Sequence, residues 1–253
     1  MFYGQHKEDY YLSLLFPIDD GICVEIGAYD GQSLSNTYYF EQKGWRCLCI
    51  EPIPLSFEKC SNIRNECVNC CISDIDGDNK EFNVFHIGDN LCAISSLKPD
   101  KRLIDSHQDI ITNQTIYYLK VRSCNSLFSE INFPKKIHFI SIDTENTEFD
   151  VLKGLDLCTY DIKLLLIENN YNEPFFENYL KTYGYTKIMR LEVNDFYMKK
   201  SSYDYDDSHF DWQFYLDFYC DLKNAGLYTK EHAFHHWIYY GKNENRICHP
   251  TLF

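Results

Sequence analysis

The stretch ICVEIGAYDGQSLSNTYYFEQKGWRCLCIEP, residues 22–52, decides the fold. An apolar run (22–27) ends in a glycine turn. A segment with helical spacing (33–43) follows and stops at Gly44, which suits a helix C-cap. A second apolar run (46–51) then closes on Glu51. A strand that feeds a helix and returns as a strand is a βαβ unit, and its two strands lie parallel.

The alternation continues outward from this unit. Residues 54–64 read as a helix opened by Pro54, and 67–72 as a third strand. IHFISID (137–143) is a fourth strand and TEFDVLKGL (147–155) a short helix. IKLLLIE (162–168) is apolar almost throughout, as a buried parallel strand requires. EPFFENYLKTYG (173–184) is helical, and YTKIMRL with DFYMKK fits a closing antiparallel pair. This order predicts a doubly wound α/β sheet. Residues 76–123 depart from it: a DG turn, the strand-like EFNVFHI, a polar loop at 88–114 and the strand-like TIYYLKV. They read as an inserted β segment laid on the main sheet, of a length that carries function or moves.

The first domain is therefore expected over 1–200, with a polar linker at 201–209 and a small aromatic-rich helical module at 210–253. Helical spacing recurs twice in 211–246, with Gly226 between the halves and Gly241 after the second, which reads as a helical hairpin. The hairpin is expected to pack outside the sheet, so that a chain cut near Ser201 keeps residues 1–200 folded.

The chain has 253 residues, 45% hydrophobic and 25% charged, enough for one α/β domain and an appendage. A net charge of −14 argues against an extended nucleic-acid surface and against non-specific binding to anionic membranes. No run is long enough for a membrane span, and MFYGQHKEDYY lacks the apolar core of a secretion signal. A cytoplasmic location is expected. Among the twelve cysteines, Cys23, Cys47, Cys49, Cys70 and Cys71 fall in apolar runs, where thiols behave as small hydrophobes. The alternative, a zinc site on the pairs Cys47/Cys49 and Cys67/Cys70, lacks the turn residues of a zinc ribbon. Reduced core thiols suit a reducing cytosol.

The glycine turn presents free backbone N–H groups at the carboxyl edge of the sheet, where open α/β sheets bind ligands. Gly27 and Gly31 are spaced G-x-x-x-G. Tyr29 occupies the second glycine position of the dinucleotide fingerprint and would block a pyrophosphate. No lysine follows, so there is no phosphate loop. Glu25 and Asp30 add negative charge, and Glu51 ends the second strand where an acid binds ribose hydroxyls. A nucleoside with a cationic tail and no phosphate fits these parts, and S-adenosylmethionine is such a molecule. The bland alternative makes Gly27 and Gly31 only tight-turn residues and Glu25 a chance charge.

On GQHKEDYYL (4–12), VEIGAYDGQSLSNTYYFE (24–41), CIEPIP (49–54), CISD (71–74), ISIDTENTEFDVLKG (140–154) and LLIENN (165–170), the chain resembles the FkbM family of S-adenosylmethionine-dependent methyltransferases. The resemblance implies a Rossmann-like class I methyltransferase sheet with strand order 3-2-1-4-5-7-6. It implies a cofactor held around Gly27, with Glu51 on the ribose, Asp74 near the adenine, and Gln5 and Asp9 in a segment closing over the methionine end. Ser33, Asn36 and Pro52 join Glu25, Asp30 and Asp143 in the implied cofactor set. The usual T-E-G after the fourth strand is Thr144-Glu145-Asn146 here, which leaves that loop's shape open.

The acceptor is expected above the carboxyl ends of strands four and five, among Asp143, Glu145, Glu148 and Glu168. Asp143, Glu145 and Glu168 are the candidate catalytic residues. Asp143, Glu168 and Asn169 resemble the divalent-metal ligands of catechol O-methyltransferase-like enzymes, so Mg²⁺ is the second reading. The first is metal-free, with Asp143 on the cofactor's ammonium, since Glu168 is longer than the Asp of catechol-type sites. His86 and His107 are further candidate bases, each with the alternative of a surface histidine. Family acceptors are often sugar hydroxyls, so O-methylation of a sugar or glycan precursor is expected. A non-catalytic scaffold of a glycan-synthesis complex is the alternative. The C-terminal module, with Trp212, Tyr215, His236, Trp237 and Arg246, resembles one found beside glycosyltransferases, although those aromatics also serve to pack a small hairpin. Expected partners are thus a sugar or glycan acceptor, glycosyltransferases and a second copy in a homodimer. The Asn-, Tyr- and Ile-rich usage resembles that of an AT-rich genome, such as a large DNA virus, whose protein would act in the host cytoplasm.

Overall fold

The computed structural model describes residues 1–87, 90–91, 95–200 and 209–250, with only the backbone at 87, 90 and 91. The expected linker at 201–209 falls outside the described residues except for its last position. In chain order the strands are β1 (Ile22–Ile26), β2 (Arg46–Ile50), β3 (Glu66–Val68), β4 (Cys71–Ile72), β5 (Gly77–Ile87), β6 (Asn90–Leu91), β7 (Asn113–Arg122), β8 (Lys136–Ile142), β9 (Asp161–Glu168), β10 (Tyr185–Leu191) and β11 (Asn194–Lys199). The helices are α1 (Glu8–Leu15), α2 (Tyr38–Glu41), α3 (Pro54–Ile63), α4 (Lys101–His107), α5 (Cys124–Glu130), α6 (Glu148–Lys153), α7 (Phe175–Lys181), α8 (Trp212–Phe218), α9 (Cys220–Asn224) and α10 (Lys230–His236).

The main sheet runs β3-β2-β1-β8-β9-β11-β10. Numbered within that sheet alone, the order is 3-2-1-4-5-7-6, as expected. Only β11 runs antiparallel to its neighbours, lying between β9 and β10. The order reverses between β1 and β8, which pair in parallel with Glu25 beside Ser141 and Ile26 beside Ile142. A crevice opens there at the carboxyl edge, where open sheets bind ligands.

Strand side chains alternate between faces, so each strand supplies two cores. Val24, Ile26, Leu48, Ile140, Leu165 and Ile167 face α5, α6 and α7. Cys23, Cys47, Phe139, Leu164, Leu166 and Phe196 face the other way, onto α1 and the C-terminal helices. That second core holds Phe214, Tyr215, Phe218, Leu222, Ala233 and Trp237 together with Leu12, Leu15 and Phe16. The C-terminal helices therefore share a core with the sheet. This corrects the expectation of a module packed outside it: a few short helices have too little apolar area to stand alone, and the sheet face needs a cover.

Several local expectations also change. The segment 33–43 is helical only over α2. Leu34 has φ +60, and Glu25 captures the groups before the helix, accepting from Ser35 Oγ at 2.7 Å, Asn36 N at 2.6 Å and Thr37 Oγ1 at 2.7 Å. The third strand divides at residues 69–70, where Asn69 Nδ2 donates to the carbonyls of Glu51 and Pro52 at 2.8 and 3.0 Å. Its second part, β4, joins the insertion in a separate sheet ordered β4-β7-β5-β6, and the expected loop at 88–114 contains β6 and α4. The first C-terminal helix breaks into α8 and α9 at Tyr219. The second passes from α10 into a π-turn at Trp237–Gly241, where a Cβ on Gly241 would lie 2.1 Å from Tyr215 Oη and force the tyrosine to shift.

Candidate active site at the switch point

Gly27 follows β1 with φ +90, and a Cβ on it would lie 1.8 Å from the Asp143 carbonyl oxygen. Only glycine lets the turn after β1 cross the end of β8 this closely. Gly27 N and Ala28 N donate to Ile50 O at 2.9 and 3.1 Å, so the turn also leans on β2. A cavity of about 280 Å³ opens above it, lined by Glu25, Gly27, Ala28, Tyr29, Ser33–Asn36, Glu51–Ile53 and Asp143–Glu145. Ile72 and Phe82, with Ser95, form a further wall. Phe82 belongs to β5, so the inserted sheet completes the cavity.

Glu51 is 5% exposed at the end of β2. Its two carboxylate oxygens accept from Tyr29 N at 2.8 Å and Ile53 N at 2.9 Å, each keeping a lone pair for another donor. Burial pushes its pKa up to about 7, against the two N–H bonds that pull it down.

Glu25 lines the cavity but spends its carboxylate on the turn and on Arg64, whose Nη1 lies 3.3 Å away. Arg64 is the C-cap of α3, and its side chain is fully buried. It pairs with Glu41 and donates to Gly31 O at 2.9 Å and Thr37 Oγ1 at 2.7 Å. This buried cation holds the cofactor-side loop together. A lone Arg after a helix carries no sequence signal for that role.

The structure separates several residues expected in one pocket. Asp30 folds back on its own loop, accepting from Gln32 N at 2.9 Å and from Ser33 N and Oγ at 2.7 Å each, and it does not line the cavity. Burial opposes its charge, but those donors outweigh burial and hold its pKa below the usual value. Asp74 pairs with Lys153 at 3.1 Å, outside the lining. Gln5 is exposed and also outside it. Asp9 is fully buried and caps the N-terminal segment, accepting from Tyr3 N at 2.5 Å and Tyr10 N at 3.0 Å. That segment touches the site through a bridge between Gly4 and Leu34. Ser33, Asn36 and Pro52 do line the cavity. Asn36 Nδ2 donates to Ser141 Oγ at 3.1 Å, and its Oδ1 is buried with no hydrogen-bond partner among the described residues.

Asp143, Glu145 and Glu168 converge, with one carboxylate oxygen of each within 4.8 Å of the others. The expected catalytic trio is thus one cluster. Burial, then the charges of Glu148, Glu25 and Glu8, pushes Asp143 up to about 7. Burial and the neighbouring acids push Glu168 up to about 11 and Glu145 well above the carboxylate range. Glu168 Oε2 is buried and unpartnered among the described residues. Such a cluster holds protons unless a cation stands beside it. Glu148 is not part of the trio. Its carboxylate accepts from Thr144 N at 2.8 Å, Thr144 Oγ1 at 3.0 Å and Asn146 N at 3.2 Å, pinning the loop. Glu145 and Asn146 take φ +54 and +87, so the left-handed turn that glycine normally supplies is kept by Asn146, braced by Nδ2 on Lys98 O at 2.9 Å.

Asn169 is not a ligand of this cluster. Its side chain donates to Asp195 Oδ2 at 2.8 Å and Glu173 O at 3.2 Å and accepts from Glu173 N at 2.7 Å. The acids close enough together to share a cation are Asp143, Glu145 and Glu168, while the Asn169 amide of the expected set is engaged with Asp195 and Glu173. His86 and His107 bond to Thr115 and to Leu103 and line neither cavity, which removes them as bases. On its far side Glu168 borders a second cleft with Arg102, Asn170, Tyr171 and Phe175, where the Arg102 guanidinium stacks 3.6 Å from the Tyr171 ring. In the C-terminal helices Tyr215 and Trp237 are core, and Arg246 pairs with Asp221 at 2.7 Å.

A family model, the methyltransferase FkbM domain, matches residues 25–214. No curated protein matches significantly. Among solved structures, M. capricolum TrmK in complex with the cofactor product S-adenosyl-homocysteine aligns at 10% identity and TM-score 0.39, covering 86% of this chain and 81% of that one. The precorrin-6y C5,15-methyltransferase of Geobacter metallireducens GS-15 aligns at 14% identity and TM-score 0.34, covering 78% and 89%.

Proposed function

The chain belongs to the FkbM methyltransferase family and is an S-adenosylmethionine-dependent methyltransferase, and we propose that it methylates a sugar hydroxyl. The observation that carries the proposal is the Asp143–Glu145–Glu168 cluster standing between two clefts. The cofactor supplies an electrophilic methyl on a sulfonium. In this reading Glu51 accepts both ribose hydroxyls, supported by its buried carboxylate at the cavity, and Ile53, Ile72 and Phe82 pack against the base. Asp143 lines the same cavity and suits an ammonium group.

A hydroxyl is a poor nucleophile until its proton is taken, and positioning supplies much of the remaining rate. Glu168 lines the second cleft and Asp143 and Glu145 the first, so a hydroxyl entering beside Tyr171 and Phe175 would meet Glu168, whose carboxylate lies within 4.8 Å of the two acids on the cofactor side. Both aromatics are about two-fifths exposed (40% and 41%), with Asn170 and Arg102 alongside. Flat apolar faces beside amide and guanidinium donors suit a sugar ring. The cationic cofactor would keep the cluster ionised, which couples its binding to a ready base.

The test is transfer of labelled methyl from S-adenosylmethionine onto a panel of nucleotide sugars and glycans. Labelled product expected with sugars should disappear in Glu168→Gln, whereas labelling confined to proteins or non-sugar small molecules would overturn the acceptor class. Activity should survive EDTA and cofactor affinity should fall in Asp143→Ala. Loss with EDTA and recovery with Mg²⁺ would replace the carboxylate base by a metal on the same three acids.

A further inference from the structure

Behind the cofactor turn lies a second cluster that the methyl-transfer site does not use. Cys49 on β2 and Cys67 on β3 are partners in the parallel register. Cys60, on α3, packs over them, with its sulfur 3.4 Å from that of Cys67. The three sulfurs all lie within 4.8 Å of one another. Cys49 and Cys60 are fully buried, and Cys67 reaches the surface in part.

We propose that Cys49, Cys60 and Cys67 form a binding site for one soft divalent metal ion of the zinc class, with the fourth position open at the surface. A tetrahedral site with metal–sulfur bonds of about 2.3 Å sets its sulfurs about 3.8 Å apart. The trio already spans that spacing, and the three elements are held by the sheet and by a helix that starts at Pro54. Zinc-ribbon pairing of Cys47/Cys49 with Cys67/Cys70 is not what the fold provides: Cys47 instead lies 3.0 Å from Cys23, on the neighbouring strand. The ligands come one each from a strand, a helix and a strand, a pattern without a short C-x-x-C signature. Soft thiolates select zinc-class ions over magnesium, so the site is chemically distinct from the carboxylate cluster.

The position gives the metal a consequence. A Cβ on Gly31 would lie 3.0 Å from Cys60 Sγ, so the sulfur sits directly under the cofactor turn. Metal at the trio would tie α3 to β2 and β3, and α3 ends in the Arg64 that clamps that turn.

The experiment is a cobalt(II) titration of the reduced full-length protein, followed by the thiolate-to-cobalt charge-transfer absorption. Carboxylates give no such band, which separates this site from the acids. One equivalent is expected, displaced by zinc, with the band lost in Cys67→Ser and kept in Cys158→Ser. Cys67 is the partly exposed member, and circular dichroism reports whether its variant folds. Alkylation with and without zinc, read by mass spectrometry, should show Cys49, Cys60 and Cys67 protected together in the unmutated chain. No charge-transfer band, a band that persists in Cys67→Ser, or protection of other cysteines only would overturn the site and leave the trio as apolar filling.

Discussion

Glu51 and Asp143 sit where their ordinary chemistry is reversed by burial. Both are pushed up to about 7. In the ligand-free protein they hold protons that the unfolded chain would already have lost. Their contribution to stability is therefore complete below about pH 4 and is lost as pH rises through about 7. A cationic ligand favours the ionised forms, so affinity for S-adenosylmethionine should rise from about pH 6 to about pH 8. Calorimetric titration across that window, with proton release seen as a buffer-dependent enthalpy, checks it; affinity flat in pH would mean the acids are already ionised. Glu51→Ala should weaken the cofactor by about 2–3 kcal/mol, the loss of charge-assisted hydrogen bonds. An unchanged dissociation constant would move the ribose elsewhere.

At the scale of elements, α3 does more than connect β2 to β3. Its C-cap Arg64 stands between Glu25 and Glu41 with no exposed side-chain surface. Removing one member of a buried ionic group strands the others, at about 3–5 kcal/mol. Arg64→Met should therefore lower the melting temperature and weaken cofactor binding together, since Gly31, Ser35 and Thr37 lose their common anchor. Thermal unfolding with and without S-adenosylhomocysteine measures both. A variant with normal stability and reduced affinity would mean that the arginine acts on the ligand directly.

For the whole molecule, the second core decides what can be removed. Ile188, Leu164, Leu166, Phe196 and Met198 share a cluster with Phe214, Tyr215 and Phe218. Ending the chain after Lys200 would expose that face, and exposed apolar area of this kind drives aggregation. The truncated protein should be insoluble or strongly destabilised, by expression yield and thermal unfolding. A soluble 1–200 fragment that binds S-adenosylhomocysteine at normal affinity would show the helices to be dispensable cover.

The alternating strands, the turn at Gly27, the acid at Glu51 and the carboxylates at the ends of β8 and β9 were legible in the sequence, because strand periodicity and glycine turns are local properties, whereas the order of the strands was implied only by the family resemblance. What Glu25, Asp30 and Asn169 do was not legible. Asp30 took its donors from Gln32 and Ser33 in its own loop, whereas Glu25 and Asn169 found their partners on loops and strands that come near only after folding. The same holds for the division of the third strand, for the wall that Phe82 adds, and for Arg64. The C-terminal boundary was misread for a related reason. An apolar stripe on a helix says that something must cover it, but only the tertiary structure decides that the cover is the back of the sheet.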